Sequence, residues 1–323
     1  MKRTLVSLIA AIALTSTAYV QPYRDDFNGG FSLGWSWKLP SNDPLCTLFD
    51  NAVSFSSGSM TISTRDGGMF ETFNSQKNVP TLRVVGPAPN DWYIEVVFRT
   101  DWSQVPADYF TQAGLVIATD ATRYFQVLIT RTPPFVGDPN TVYGSTNAEG
   151  PTATENPDQF RWGERVTNAW TPDSDWMGVR IEHVSGETNA IRVLFRHSGT
   201  GGWIAYDGFN GAHYVEGGFG GDFYNHIVNL LNSAGVRIGV YTDNACSCGN
   251  QIPFEFDYFE TNIPVAPLGD VNADGCVDDA DLPAVLFAFG NAGECQDEDI
   301  NNDAIVDDAD LLSVLFAFGS GCN

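Results

Sequence analysis

The chain has 323 residues, with 40 acidic against 16 basic side chains and a formal net charge of −24. That sign opposes nucleic acid, whose phosphates need Lys and Arg to displace counterions, and it opposes an anionic membrane surface. The one long apolar stretch, Leu5 to Leu14, is too short to span a bilayer.

Behind Lys2-Arg3 and ahead of the small residues Ser16-Thr17-Ala18, that stretch reads as a cleavable secretory signal over residues 1–18, so the expected protein is exported and has no membrane span. From Arg24 to Ile263 follow short runs of Val, Ile, Phe, Tyr and Trp bounded by Gly, Pro, Asn and Asp, which is an all-β pattern. The clearest strands are 59–64, 92–100, 113–119, 124–130, 177–183, 191–197, 236–241 and 254–260. The run Tyr93 to Arg99 has more apolar residues than strict alternation needs, as expected of a strand covered on both faces. Residues 19–263 are therefore expected to form one large β-sandwich. Two stretches, 131–175 and 206–234, are longer than hairpins require and rich in aromatics. Long ordered loops carry ligand sites, and Tyr143, Trp162, Trp170 and Tyr224 are the candidate platforms for a sugar ring. Trp35 and Trp37 read as packing residues. Pro264 to Leu268 reads as a short stiff linker.

The remaining residues, 269–323, carry one pattern twice. The first copy is Asp270, Asn272, Asp274, Gly275, Cys276, Asp278 and Asp281; the second, 29 residues later, is Asp299, Asn301, Asp303, Ala304, Ile305, Asp307 and Asp310. Calcium takes six to eight oxygens, which side chains at loop positions 1, 3, 5, 9 and 12 and a carbonyl at 7 can supply. Cys276 and Ile305 provide the carbonyl. After Leu268 there are 13 Asp and Glu and no Lys or Arg, so the segment would repel itself without cations. Two calcium ions are the expected cofactors. Apolar residues follow each loop at helical spacing (Leu282, Val285, Leu286, Phe289; Leu311, Val314, Leu315, Phe318), predicting two amphipathic helices with facing stripes. Gly275 suits the sharp turn at position 6. Ala304 does not, which predicts a weaker second site.

Two such loop-then-helix units, with Asp at position 12, resemble the type I dockerin module over Gly269 to Gly319. The resemblance implies an EF-hand-like fold and a cohesin-like anchoring partner, most famously in assemblies that degrade plant polysaccharides. The family reads its partner largely through positions 10 and 11, here Asp279-Ala280 and Asp308-Ala309 in place of the well-studied Ser-Thr pair.

The body carries a second resemblance. Asp25-Asp26-Phe27, Gly34-Trp35-Ser36-Trp37, Gln112 to Val116, Arg123-Tyr124-Phe125 and Phe256-Asp257-Tyr258-Phe259 occur in the order of the concanavalin-A-like sandwich appended to family 43 glycoside hydrolases. That implies a lectin-like jelly roll whose first and last segments pair. Glu255, Asp257 and Glu260 also resemble the Glu-x-Asp-x-x-Glu strand of family 16 glycoside hydrolases. On a regular strand Glu260 faces away from the other two, and only a bulge brings all three together. The competing expectation is a closing strand whose Asp257 helps bind one more calcium near Asp25 and Asp26. The function expected is non-catalytic glycan recognition anchored through the module, with a divergent glycoside hydrolase or a purely structural extracellular protein as alternatives.

Six cysteines in an exported chain argue for disulfides. The sequence favours Cys295 with Cys322, and Cys46 with Cys246 or Cys248.

Overall fold

A computed structural model of the protein describes residues 22–39, 45–47, 53–56, 58–67, 76–106, 110–120, 123–131, 141–149, 161–165, 170, 172–186, 191–197, 202–205, 212–213, 221–244, 251–293 and 295–322. The signal segment 1–18, Cys246 and Cys248 lie outside them. In chain order the strands are Tyr23–Asp25 (β1), Trp35–Ser36 (β2), Lys38–Leu39 (β3), Leu45–Cys46 (β4), Val53–Ser56 (β5), Ser59–Ser63 (β6), Thr81–Arg83 (β7), Trp92–Arg99 (β8), Thr111–Asp120 (β9) and Arg123–Arg131 (β10). They continue with Val142–Glu149 (β11), Arg161–Arg165 (β12), Met177–His183 (β13), Ile191–His197 (β14), Trp203–Ala205 (β15), Ala212–His213 (β16), Gly221–Asp222 (β17), Arg237–Asn244 (β18) and Pro253–Thr261 (β19). The helices are Phe223–Leu231 (α1), Asp281–Ala288 (α2) and Asp308–Ala317 (α3).

Two antiparallel sheets make the sandwich. One runs β15-β14-β13-β8-β19-β6-β5 with β1 added beside β19; the other runs β12-β11-β10-β9-β18-β7-β2. The first and last segments do pair, Arg24 standing opposite Glu260. Alternation explains the layers. On β9, Ala113, Leu115 and Ile117 point into the main core with Phe98, Val127, Phe195, Phe254 and Phe256, while Val116 and Ala118 join Tyr124, Leu128 and Tyr241 in a second cluster on the other face. Apolar residues on both faces account for the near-continuous hydrophobic runs. Gly114 marks the closest approach: a Cβ there would lie 2.1 Å from the Val127 carbonyl oxygen.

The stretches read as long loops contain β11, β12, β16, β17 and α1. Strand β11 escaped the pattern because its outward row, Tyr143, Ser145 and Asn147, is largely polar and its inward row holds little beyond Val142 and Ala148. The supposed linker is part of the body: Val265 and Ala266 are buried, Gly34 N–H donates to the Ala266 carbonyl at 3.1 Å, and Val85 N–H donates to that of Pro264 at 3.1 Å.

The C-terminal unit has its own core of Val271, Val277, Val285, Ala288, Val306 and Val314. Its halves interlock. Val277 of the first loop exchanges backbone bonds with Gly319 and Ser320 after α3, and Val306 of the second does so with Gly290 and Asn291 after α2. The facing stripes expected of the helices are only partly realised, because loop valines fill the space between them. Leu286, Phe289, Leu315 and Phe318 are about half exposed, and Phe287 and Phe316 are 91% and 86% exposed. Phe289 and Phe318 are C-cap residues with extended ψ near 127°, so helical periodicity does not govern where they point.

The disulfides differ from the pairs favoured by sequence. Cys276 joins Cys322, closing the C-terminal unit end to end, and Cys46 joins Cys295, fixing the unit to the sandwich. Spacing along the chain could not reveal this, because β4 and the segment before the second loop meet only after folding. Asp297 reinforces the junction, lying 3.1 Å from Lys38, 3.4 Å from Arg83 and 3.9 Å from Arg237. Burial, then repulsion from Arg83, pushes the Arg237 guanidinium down to about 10, and Asp297 offsets part of that. Among the described residues no helix is long and apolar enough to cross a membrane.

Candidate functional site

The two acidic loops have matching geometry. Asp281, fully buried, accepts Val271 N–H at 2.8 Å and Asn272 N–H at 3.1 Å on one oxygen and Asp278 N–H at 2.9 Å on the other. Asp310 repeats this with Ile300, Asn301 and Asp307 at 2.7, 3.1 and 2.9 Å. Position 12 therefore ties each loop to the start of its helix. Asn272 accepts from Asp274 N–H and Asp274 from Cys276 N–H, and Asn301, Asp303 and Ile305 do the same, turning positions 3 and 5 inward. Asp278 and Asp307 accept from Ala280 and Ala309 at the helix starts.

The donor set fits a hard cation. Asp270 presents one oxygen to Gly275 N–H at 2.9 Å, while its other oxygen is buried with no hydrogen-bond partner. Burial, with Asp281 and Asp274 nearby, raises the Asp270 carboxyl; burial, with Asp310 and Asp303, raises that of Asp299. Crowded carboxylates of this kind are relieved by an ion. Asp270, Asn272, Asp274, Asp278, Asp281 and the Cys276 carbonyl would hold one, and Asp299, Asn301, Asp303, Asp307, Asp310 and the Ile305 carbonyl the other.

Backbone strain is more even than Gly275 and Ala304 suggest. Ala304 takes φ 71°, but Ala273 in the first loop takes φ 60°, where the second has Asn302 at φ 59°. Each loop thus holds one alanine in the left-handed region, at a cost of about 1 kcal/mol. Ala304→Gly should tighten the second site by about fivefold, and Ala273→Asn should tighten the first by a comparable factor. Calcium titration of each variant checks this.

On the closing strand the structure supplies the bulge: the register of β19 against β8 shifts between Phe256 and Tyr258. Glu255, Asp257 and Glu260 consequently share the outer face, since Phe256 and Phe259 point inward. Two of the three are held as ion pairs, Glu255 by Arg99 at 2.7 Å and Glu260 by Arg24 at 2.9 Å, with Tyr93 Oη donating to Glu260 at 2.6 Å. Burial raises the Asp257 carboxyl, against the pull of Arg24. On the same face guanidinium groups cover aromatic rings, Arg24 over Tyr258 at 3.8 Å, Arg180 over Tyr93 at 4.1 Å and Arg99 over Trp176 at 4.4 Å, pairings that the sequence reading missed because their members are far apart in the chain.

A further calcium near Asp25 and Asp26 is not supported by the donors there. Asp25 is buried and receives Phe27, Ser32 and Leu33 N–H and Trp35 Nε1, a shell of N–H donors that already satisfies an anion, and Asp26 is paired with Arg24 at 2.7 Å.

Two candidate sugar platforms are corrected. Tyr143 is 1% exposed on β11, and Trp170 is 8% exposed, stacked on His197 and bridged to Val142, so their faces are used in packing. Trp162 stands opposite Ala148 and Tyr224 lies on α1; the side chains of both are outside the described residues.

Asp243 on β18 was not anticipated. It is buried, Tyr241 Oη and Gln112 Nε2 donate to one of its oxygens, and the other has no partner. Burial pushes its carboxyl up to about 7. A carboxyl raised in the folded state stabilises below its unfolded value, 3.8, and that stabilisation is lost as pH rises through 7. Asp243→Asn should therefore equal the parent near pH 4 and exceed it at pH 8 by about 2–4 kcal/mol, as read from urea unfolding at both pH values.

No family model matches the chain, and no curated protein matches it. Among solved structures it is similar to a xylan β-1,4-xylosidase from Bacillus halodurans at 14% identity and TM-score 0.46, covering 75% of this chain and 39% of that one. It is also similar to the GH43 BlXynB protein of Bacillus licheniformis at 12% identity and TM-score 0.47, over 74% of this chain and 38% of that one. A non-specific endo-β-1,3(4)-glucanase from family GH16 follows at 15% identity and TM-score 0.39, over 75% and 90%. The chain thus spans about two fifths of the length of the first two.

Proposed function

We propose that this is an exported surface protein whose dockerin-like C-terminal module, loaded with two calcium ions, anchors a glycan-recognising β-sandwich to a cohesin-like partner, in the service of polysaccharide breakdown. One observation carries the reading. Beside the two loops, α2 and its C-cap leave Leu286, Phe287 and Phe289 exposed, and α3 and its C-cap leave Leu312, Leu315, Phe316 and Phe318 exposed. Large apolar residues exposed in such number favour a protein-binding face, and their repetition gives the module two equivalent halves.

The test is isothermal titration of the full chain against a panel of purified cohesin domains, with calcium and with EGTA. Binding should require calcium and fall at least about tenfold, 1.4 kcal/mol, in Phe287→Ser with Phe316→Ser. Binding indifferent to both changes would defeat the anchoring reading.

The bulge in β19 favours one second reading, a divergent glycoside hydrolase using Glu255, Asp257 and Glu260. Retaining chemistry needs two carboxyl groups about 5–5.5 Å apart, free to act as nucleophile and acid. The ion pairs that hold Glu255 and Glu260 weigh against this. Activity on β-glucans that disappeared in Glu255→Gln or Glu260→Gln with folding intact would reverse the order of the two readings.

A further inference from the structure

Between the sandwich and the second acidic loop lies an open cleft of about 650 Å³, within the size range of small-ligand sites, which favour domain junctions. Its walls differ. On the sandwich side stand Phe31 and Phe55, both half-buried, their rings 5.0 Å apart and nearly perpendicular, with Phe31 also stacked on Trp35 at 5.4 Å. On the other side stand Asn301, Asn302 and Asp303 of the loop and Ser313 of α3.

We propose that this cleft binds a neutral oligosaccharide, and that calcium in the second loop controls its affinity. A pyranose has an apolar C–H face and a rim of hydroxyls, and the cleft offers aromatic carbon on one side and amide, carboxylate and hydroxyl groups on the other. Charge selects the neutral kind: the module has 13 acidic residues and no basic one, which repels uronate or sulfated chains. Control by calcium follows from shared residues. Asn301 and Asp303 occupy ligand positions 3 and 5 of the loop and also line the cleft, so an ion that fixes them also fixes the polar wall. Binding to either site then changes the affinity of the other by the same factor. This rests on the calcium reading of the second loop and adds a ligand to it.

The experiment is calorimetry on the full chain, first with calcium alone and then with xylohexaose, cellohexaose and laminarihexaose, each in calcium and in EGTA. At least one hexasaccharide should bind in calcium and weaken about tenfold or more in EGTA. Asp299→Ala should remove that difference, and Asp270→Ala should keep it. Phe55→Ala, and Ser313→Trp, which fills the cleft from the module side, should each weaken binding about tenfold while leaving calcium titration unchanged. The proposal is overturned if none of the three sugars binds, if affinity is equal with and without calcium, or if both cleft variants bind as the parent does. Failure to bind calcium in the first titration would instead strike the reading of the loops, and this inference with it.

Discussion

Chelation with excess EGTA is expected to strip α2 and α3 of amide-exchange protection while the strands β8, β9 and β10 keep theirs. The unit from Gly269 to Cys322 has a small core, built of three loop valines, Val271, Val277 and Val306, with Val285, Ala288 and Val314 of the helices. Against it stand crowded acidic groups with no Lys or Arg of the unit to neutralise them. Asp270 keeps one buried oxygen without a partner, and a buried acceptor left unsatisfied costs about 1–3 kcal/mol. Calcium bound at the proposed sites would offset that cost and so become folding energy for the unit. Asp281 and Asp310, which tie loop to helix, should be the most damaging single positions: Asp281→Ala removes three N–H acceptor contacts as well as a proposed calcium ligand. Hydrogen exchange followed by mass spectrometry, with and without calcium, checks this; helices equally protected in EGTA would show that the cation is not structural.

Loss of the Cys46 to Cys295 bridge should produce the second large effect. The bridge closes a loop of 249 residues, for which chain entropy alone corresponds to about 5 kcal/mol. Asp297, two residues beyond Cys295, neutralises Arg83 and the buried Arg237, so releasing the unit also exposes two like charges to each other. Cys46→Ala with Cys295→Ala should lower the unfolding free energy by about 2–5 kcal/mol, and adding Asp297→Asn should cost further. Urea unfolding under non-reducing conditions gives the value. A shift under about 0.5 kcal/mol would mean that the junction contributes nothing measurable.

What the sequence disclosed tracks where one residue type serves one physical purpose. Runs of Val, Ile and Phe in β8, β10, β13 and β14 are buried on the core face, and the repeat read from Asp270 to Asp281 and Asp299 to Asp310 folds into two loops with one hydrogen-bond pattern. The rest depends on contacts between distant parts. Strand β11 is polar because its outer row faces neighbours such as Thr130, which meets Ser145 Oγ, and not because it is a loop. The bulge at Asp257 cannot be read from alternation, yet it decides that Glu255, Asp257 and Glu260 share a face. Tyr143 and Trp170 looked like exposed platforms because β11, which carries Tyr143 and bridges to Trp170 at Val142, went unrecognised. Leu286 and Leu315 show the reverse: each belongs to an apolar stripe expected to be buried and is about half exposed instead.

The account's central claim, that the two acidic loops are calcium sites, is tested most directly by counting ions. Native mass spectrometry of the full chain in calcium should show two bound ions, one in Asp270→Ala, one in Asp299→Ala and none in the double variant. A parent chain that carries no calcium, or variants that keep both ions, would contradict it.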